Sequence, residues 1–488
     1  MSDALKTLAA RTFDLFVIGG GIVGAGVARE AALRGLSVAL VDQYDFAFGT
    51  SSRSSRLLHG GIRYLAQGRV GLVKEASREK HVLQRIAPHL VDPLPFLFPT
   101  YKGTPWPRWK LSVGVKLYDF LCGEGNLGKS RTFSRDETIK HLGAAVPAEN
   151  GLTGAVRYYD ALTNDARLVL DTLRSAAKHG AALANYTRFL GADRKGGLWT
   201  CRVAANDGLS NEECAVTARA VVCAAGPWAQ GLGANKLQLR LTKGIHLVVD
   251  RAKLPVPDAI VMSEGSRILF VIPWGERVIL GTTDTDFEAR AEAGKDPLAN
   301  LRADSADTEY VLKITNAAFP QARLTEQDVI SSWAGLRPLI ADPNGSPSDI
   351  SRSHEIKVSA PGWIEVAGGK LTTYRVMAEE TVDRLFSVIN SPFKKAGASS
   401  IEPLLPRAET DGVSAIVPPP FSREVVEHYC KNEWARTLND VMIRRGGWHY
   451  YHRDREAIAA QAANWMAEIL NWDAARHATE LAEYGKNG

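Results

Sequence analysis

Apolar runs and helical patterns alternate at the start of the chain. Residues 13–18 are almost wholly apolar and predict a buried strand, and residues 25–34 carry a helical pattern. Residues 37–41 predict a second strand, which ends at Asp42. A strand, a helix and a second strand in this order are typical of a βαβ unit built on a parallel sheet.

After residue 180 the chain is first rich in predicted strands, then rich in proline, and finally helical in pattern. Strands and helices are predicted at residues 181–222 (short strands), 242–284 (strands), 363–366 (one strand) and 371–386 (a helix). A proline-rich tract at 391–420 predicts a linker or an extended strap, and 422–445 and 455–470 carry apolar residues at helical spacing. We therefore predict an α/β (α+β) chain that ends in a small helical domain.

Composition narrows the class of protein. The 488 residues suggest two or three domains, and 45% apolar with 23% charged residues is typical of a soluble globular protein. The net charge of only +5 does not indicate a nucleic-acid partner. Five cysteines without a CxxC pair favour a reducing, cytoplasmic compartment. We expect neither a secretory leader nor a membrane span, although the protein can still lie on a membrane surface.

The loop after the first strand reads GxGxxG. Gly19 permits a tight turn, Gly21 lets a pyrophosphate approach the backbone, and Gly24 allows close helix–strand packing. Gly20 and Ile22 complete the predicted phosphate loop, whose helix N-terminus favours an anion. Asp42 lies 18 residues after Gly24, where a carboxylate is expected to accept from ribose hydroxyls. An ordinary βα turn is the plain alternative, and the loop does not separate NAD from FAD.

Hydroxyls, arginines and a glycine pair are concentrated in residues 50–65. Such a segment can bind a second phosphate and let the backbone pass close to a flat ring. A basic, serine-rich surface loop is the alternative.

The chain resembles the FAD-dependent, quinone-linked glycerol-3-phosphate dehydrogenases of aerobic respiration. HGGIRYL (59–65) and GGKLTTYR (368–375) are the specific motifs, with Arg56 standing where the family pattern has Lys. Residues 446–452 do not align. The resemblance also covers VIGGGIVGAG (17–26), the whole of TSSRSSRLLHGGIRYL (50–65), DARLVL (165–170), AAGPWA (224–229), TKGIHLVV (242–249), VIPWGERVILGTTDTDF (271–287), WAGLRPL (333–339) and EWARTLNDVMIRR (433–445).

The resemblance implies FAD as cofactor and a discontinuous Rossmann-like FAD domain. That domain is expected at 12–82 plus 155–228 plus 338–390, and a substrate domain with a mixed or antiparallel sheet at 83–154 plus 229–337. The linker and helical domain take 391–488. The residues implied in FAD binding are Gly19, Gly20, Gly21, Ile22, Gly24, Asp42, Thr50, Ser51, Ser52, Ser55, Leu57, His59, Gly226, Leu371 and Thr372.

The implied substrate is glycerol 3-phosphate, a dianionic ester that needs convergent cations. By resemblance its ligands are Arg63, Tyr64, Thr283, Arg337, Arg352 and Lys370, and His246, Arg337 and Lys370 are the catalytic candidates. His246 is expected to act as a base or as an orienting group, and a structural histidine is the alternative. Asp284-x-Asp286 favours an Asx-turn over a metal site, so no metal is predicted.

The acceptor implied by the resemblance is a quinone, which is dissolved in the bilayer. We therefore expect peripheral attachment to the cytoplasmic face of the inner membrane, an anionic surface, with Tyr101 to Cys122 as a candidate interfacial helix. A core-facing helix is the alternative for that segment.

A homodimer is a further expectation. Three rival functions stay open, namely an oxidase that uses oxygen, an FAD-containing RNA-modifying protein and an electron-transfer flavoprotein.

Overall fold

The computed structural model describes residues 3–62, 65, 68–145, 151–208, 210, 212–264, 267–288, 296, 299, 301–340, 354–389 and 398–486. Its strands are β1 (Thr12–Ile18), β2 (Val38–Val41), β3 (Leu57–Leu58), β4 (Asp92–Tyr101), β5 (Arg131–Ser134), β6 (Leu152–Leu162), β7 (Ala182–Ala184), β8 (Thr187–Lys195), β9 (Leu198–Ala205), β10 (Glu213–Cys223), β11 (Leu239–Asp250), β12 (Ala259–Glu264), β13 (Arg267–Trp274), β14 (Arg277–Gly281), β15 (Thr285–Asp286), β16 (Val329–Ile340), β17 (His354–Ala360) and β18 (Trp363–Gly368). Its helices are α1 (Asp3–Ala9), α2 (Ile22–Leu33), α3 (Val70–Ile86), α4 (Arg108–Cys122), α5 (Arg135–Leu142), α6 (Asp165–Lys178), α7 (Ser305–Ala318), α8 (Tyr374–Ile389), α9 (Arg423–Asn432), α10 (Trp448–Tyr451), α11 (Arg455–Leu470) and α12 (Ala474–Gly485), with a π-helical turn at Asp440–Arg445.

The first sheet has a parallel centre. Its strand order is β17-β18-β10-β1-β2-β7, and β10, β1, β2, β7 and β18 run parallel, whereas β8 and β9 extend from β10 as an antiparallel hairpin. Helices α2, α6 and α8 pack together against β1 and β18. The residues of β1 are apolar on both faces because both are covered. Three separated parts of the chain supply the sheet, and the predicted domain boundaries stay predictions.

The second sheet is mixed and mainly antiparallel. Its order is β15-β11-β14-β13-β12-β4-β6-β3, with β16 beside β11 and β5 beside β6. Only the β4–β12 pair is parallel in the described part of the sheet. Long strands β11 and β16 place His246 opposite Trp333, and Thr242 opposite Arg337. The α/β first sheet, the mixed second sheet and the helical C-terminal part confirm the predicted fold class.

The C-terminal helices are anchored to the first sheet by buried ion pairs. Asp45 accepts from Arg444 at 2.5 Å and also from Arg445, while Glu433 accepts from both terminal nitrogens of Arg167 at 2.6 and 2.8 Å. Removing one partner of such a pair leaves an uncompensated buried charge, which typically costs about 3–5 kcal/mol. The helical part is therefore fixed against the α/β core.

The described part of the proline-rich tract is an extended strap. Backbone carbonyls of Glu402 and Pro403 accept from Arg29, Leu404 donates to the carbonyl of Ile86, and Ile416 accepts from the Trp274 indole at 2.9 Å. The strap thus runs across both sheets before the C-terminal helices begin.

Helix α4 has two apolar faces. Leu111, Val115, Tyr118 and Cys122 are buried at helical spacing against the second sheet. Trp109, Val113, Leu117 and Phe120 repeat at the same spacing on the outer side and are 71, 62, 44 and 81% exposed. The core-facing alternative is therefore correct for one side of the helix. Contact of the exposed apolar side with lipid stays a prediction. Among the described residues, no helix is long and apolar enough to cross a bilayer.

Candidate active site

The glycine loop between β1 and α2 is built for close backbone contact. Gly19 has φ +108°, and a Cβ there would lie 2.5 Å from the carbonyl oxygen of Ala224. A Cβ on Gly24 would lie 1.9 Å from the carbonyl oxygen of Gly19, so only glycine lets α2 approach β1. At Gly21 the nearest neighbour would be the Ser51 hydroxyl at 3.1 Å. The glycines at 19 and 24 are thus required by packing, whereas Gly21 opens onto a cavity.

That first cavity has a volume of about 250 Å³ and follows the carboxyl ends of the parallel strands. It is lined by Gly19, Gly21, Ile22, Asp42, Thr50, Ser51, Gly226, Lys370 and Leu371 among others. Gly20, Gly24 and Ser52 do not line it. Gly20 instead donates its N–H to Asp42 at 2.7 Å, and Ser52 is buried.

Asp42 is held by backbone donors at the end of β2. Its two carboxylate oxygens accept from Gly20 at 2.7 Å and from Tyr44 at 2.9 Å. Burial raises the pKa of Asp42 to about 7. The carboxyl group lines the first cavity, where it is available to sugar hydroxyls.

The hydroxyl-rich segment is fixed in place by its own side chains. The Ser51 hydroxyl accepts from the N–H of Ile22, the first residue of α2, at 3.0 Å. The backbone and hydroxyl of Ser54 both donate to Asp165, at 2.9 and 2.7 Å, and the Thr50 hydroxyl donates to the carbonyl of Leu336. The segment therefore joins the two sheets and is not a free surface loop.

A second cavity of about 520 Å³ adjoins the first. Both are lined by Thr50, Ser54, Pro338, Gly368, Gly369, Lys370 and Leu371. The predicted residues Ser55, Leu57, His59, His246, Thr283, Arg337 and Thr372 line the second cavity. A long ligand with a phosphate end and a flat ring end fits two cavities that share a wall.

His59 and Thr372 join the two glycine-containing motifs. The N–H of His59 donates to the Thr372 hydroxyl at 3.0 Å, and that hydroxyl donates back to the carbonyl of His59 at 3.3 Å. Thr372 lies in a short 3-10 turn that leads directly into α8 at Tyr374. The HGG and GGK motifs, more than 300 residues apart in sequence, are thereby hydrogen-bonded to each other.

His246 is a buried imidazole at the edge of the second cavity. Its Nε2 lies 2.8 Å from the Ser55 hydroxyl, and its ring stacks on Trp333 with centroids 5.1 Å apart. Burial and the guanidinium groups of Arg337 and Arg56 lower the pKa of His246 to about 3. The side chain is therefore neutral at physiological pH.

Arg337 lines the same cavity as His246, and its charge contributes to the lowered pKa of the imidazole. It donates to the Thr282 hydroxyl at 2.9 Å, to the carbonyl of Thr283 at 3.2 Å and to Asp284 at 3.2 Å. Thr283 also accepts from the N–H of Ile245 at 3.1 Å. Asp286 pairs with Arg240, so the two aspartates of the Asp-x-Asp motif face different arginines.

Three predicted substrate ligands, Arg63, Tyr64 and Arg352, lie outside the described residues. Conversely, Trp333 and Asp165 support the site, although the sequence did not single them out as site residues. Trp333 lies in the motif WAGLRPL, and its regular pairing with His246 follows from strand register, which the sequence does not give.

Comparison with known proteins identifies the family. Residues 14–384 match the family described as FAD dependent oxidoreductase (DAO). Glycerol-3-phosphate dehydrogenase 2 of Mycobacterium tuberculosis is 35% identical, over 99% of this chain and 89% of that protein. Aerobic glycerol-3-phosphate dehydrogenase of Bacillus subtilis is 38% identical, over 82% of this chain and 70% of that protein.

Solved structures agree with these relatives. The glycerol-3-phosphate dehydrogenase from Bacillus halodurans, which was solved in complex with FAD, superposes with a TM-score of 0.78 at 27% identity, covering 99% of this chain and 96% of that one. An L-α-glycerophosphate oxidase from Mycoplasma pneumoniae shares the fold, with a TM-score of 0.62 at 19% identity over 81% of this chain and 99% of that one. The two cavities fit FAD, and the predicted cofactor is confirmed. The chain belongs to the family of FAD-dependent glycerol-3-phosphate dehydrogenases.

Proposed function

We propose that this protein oxidises sn-glycerol 3-phosphate to dihydroxyacetone phosphate and delivers the electrons to a membrane quinone. The observation that carries the proposal is the second cavity, where a neutral imidazole (His246) and a guanidinium group (Arg337) line the same wall. Such a pair suits a substrate that is both an alcohol and a phosphate ester. The names of the Mycobacterium and Bacillus relatives support the same substrate.

Arg337 binds the phosphate in this proposal. Its guanidinium is only partly exposed, and its present partners are one hydroxyl, one carbonyl and one carboxylate at 2.9–3.2 Å. A dianionic phosphate offers stronger charge-assisted hydrogen bonds than the hydroxyl and the carbonyl do. Lys370, which lines both cavities, supplies a second positive charge. Arg63, Tyr64 and Arg352 remain predicted ligands.

His246 accepts the proton of the C2 hydroxyl. Ser55 and Trp333 orient the imidazole, one through Nε2 and the other through its ring face. Burial, followed by the Arg337 and Arg56 charges, lowers the pKa of His246 before substrate binds. A bound phosphate offsets the Arg337 charge and so increases the basicity of His246. When bound, FAD would supply the redox chemistry, as the acceptor of the hydride from C2 and the source of two electrons for the quinone.

The outer face of α4 supports the choice of a membrane acceptor. Four of the seven exposed large apolar side chains in the described part of the chain lie on this one helix. An exposed apolar patch of this kind marks an interaction surface, and Lys110 and Lys116, which are also exposed, favour anionic lipids. An interfacial helix buries its apolar face about 5–10 Å into the headgroup region. We propose that α4 attaches the protein peripherally to the membrane.

The acceptor is tested with FAD-loaded protein bound to anionic liposomes. Glycerol 3-phosphate and a short-chain quinone are added in air and, separately, without oxygen. The proposal expects dihydroxyacetone phosphate and quinol in equal amounts under both conditions. Hydrogen peroxide in place of quinol would instead identify an oxidase, and no consumption of glycerol 3-phosphate would reject the substrate.

A further inference from the structure

A buried cluster of three side chains adjoins the second cavity, which one of them, Asp160, lines. Lys80 on α3, Tyr118 on α4 and Asp160 on β6 are each at most 2% exposed. Lys80 Nζ lies 2.5 Å from Asp160 Oδ1 and 2.8 Å from the Tyr118 hydroxyl, and that hydroxyl lies 2.6 Å from the same Oδ1. None of these residues is among the predicted site residues.

The hydrogen bonds of Asp160 are concentrated on one oxygen. Oδ1 accepts from Lys80, Tyr118 and, at 3.1 Å, the N–H of Gly60. Within the described residues, Oδ2 accepts no hydrogen bond, although Asp160 lines the second cavity. Oδ2 of this nearly buried side chain therefore keeps its capacity to accept a hydrogen bond from a ligand in that cavity.

The cluster is close to the predicted cofactor and substrate loops. A Cβ on Gly60 would lie 2.2 Å from the Tyr118 hydroxyl, so this position must be glycine. Gly60 follows His59, which is hydrogen-bonded to Thr372 in the loop that begins at Lys370. Asp160 therefore faces the same space as the cations that we assign to the phosphate.

The chemistry of Oδ2 restricts what it can bind. A carboxylate accepts hydrogen bonds only, and it repels a phosphate or a second carboxylate. Its ligand must thus be the uncharged, hydroxyl-bearing end of a molecule whose anionic end lies on the arginine and lysine side chains. Lys80 pairs with Oδ1 of Asp160, so Oδ2 stays available to a ligand in the cavity.

We propose that Asp160 accepts a hydrogen bond from the C1 hydroxyl of glycerol 3-phosphate and rejects phosphate esters that carry a carboxylate at that carbon. This inference rests on the proposed function, because it takes glycerol 3-phosphate as the substrate. Asp160 is then a specificity residue, and Lys80, which pairs with its other oxygen, is a positioning residue.

The test compares two ligands in Asp160→Asn, which keeps the shape and removes the charge. The KM for glycerol 3-phosphate and the inhibition constant of racemic 3-phosphoglycerate are measured by steady-state kinetics on the FAD-loaded protein. We expect kcat/KM for glycerol 3-phosphate to fall at least about tenfold. Binding of 3-phosphoglycerate is expected to tighten by at least about tenfold, because the repulsion is lost. Damage to the fold would weaken both ligands, so only the proposed role predicts opposite shifts.

Tyr118→Phe is the matched control, since it removes a hydroxyl from the same cluster and leaves both charges. It should leave the ratio of the two affinities within about threefold of wild type. If Asp160→Asn does not fold, Asp160→Asn/Lys80→Met removes the charges as a pair and carries the same expectation. Three results for Asp160→Asn would overturn the proposal. They are weaker binding of both ligands, an unchanged ratio of the two affinities, and loss of FAD as the only effect. Failure of wild type to oxidise glycerol 3-phosphate would instead reject the proposed function.

Discussion

The imidazole Nε2 of His246 lies 2.8 Å from the hydroxyl of Ser55, although 190 residues separate them in sequence. Ser55 was predicted as a cofactor ligand, and in the structure its hydroxyl is engaged with the proposed base. The pair links the hydroxyl-rich segment that follows β2 to strand β11 of the second sheet. Orientation of the base and closure of the cavity therefore depend on the same contact.

We expect His246→Ala to slow flavin reduction by glycerol 3-phosphate about 10²–10⁴-fold, the usual contribution of a general base. Binding of glycerol 3-phosphate should change little, because the phosphate ligands remain. Anaerobic stopped-flow absorbance gives both the rate and the apparent affinity. Ser55→Ala, which keeps the imidazole but removes its partner, should show a smaller loss of rate. A wild-type rate in His246→Ala would remove the histidine from the mechanism.

The burial of the His246 imidazole should also make the stability of the fold depend on pH. The pKa of His246 is about 3 in the folded protein and about 6.5 in the unfolded chain. Between pH 3 and pH 6.5 the unfolded chain binds more protons at His246 than the folded protein does. The contribution of His246 to the free energy of unfolding is therefore fully present above pH 6.5. It decreases as the pH falls from 6.5 toward 3. Urea unfolding of the wild type and His246→Gln at pH 7 and 4.5 should show the wild type losing more stability. An equal loss would contradict the buried, neutral state.

Arg337→Ala should raise KM for glycerol 3-phosphate by roughly 10- to 100-fold while FAD stays bound. The estimate follows from about 1.5–3 kcal/mol for a hydrogen bond to a charged group. Arg240→Ala is the matched control, because Arg240 is also paired with an aspartate but lies at the surface. An unchanged KM in Arg337→Ala, or an equal rise in the control, would show that the phosphate binds elsewhere.

We expect the exposed apolar face of α4 to bind anionic lipid membranes. Trp109→Ala/Phe120→Ala should reduce co-sedimentation with anionic liposomes several-fold, because the two most exposed apolar side chains of the helix are lost. Ile401→Ala/Val417→Ala removes exposed apolar side chains elsewhere and should have little effect. Equal binding by both double variants would place the lipid contact outside α4.

The sequence predicted the parts of the site that depend on local chemistry. The strand, glycine loop and helix of residues 13–34, the segment at 50–65 and the turn after β18 were all recognisable from residue type and spacing. The FAD cofactor and the family are confirmed, whereas the roles of individual residues stay predictions. For α4 the apolar periodicity could not separate a core-facing from an outward-facing helix, because both faces are apolar.

Other features depend on contacts between distant parts of the chain. Trp333 supports His246 because β11 and β16 pair in one register. Asp160 meets Lys80 and Tyr118 only after two helices pack on β6. A lone aspartate within an apolar strand was the available signal at Asp160, and residue type alone does not say which partners a strand residue will meet.

The central claim is tested most directly by an anaerobic titration of the FAD-loaded protein with glycerol 3-phosphate. Our account predicts that absorption of the oxidised flavin disappears at about one equivalent of substrate, with one equivalent of dihydroxyacetone phosphate formed, since each oxidation releases two electrons. A flavin that dithionite still reduces but glycerol 3-phosphate leaves oxidised would contradict it.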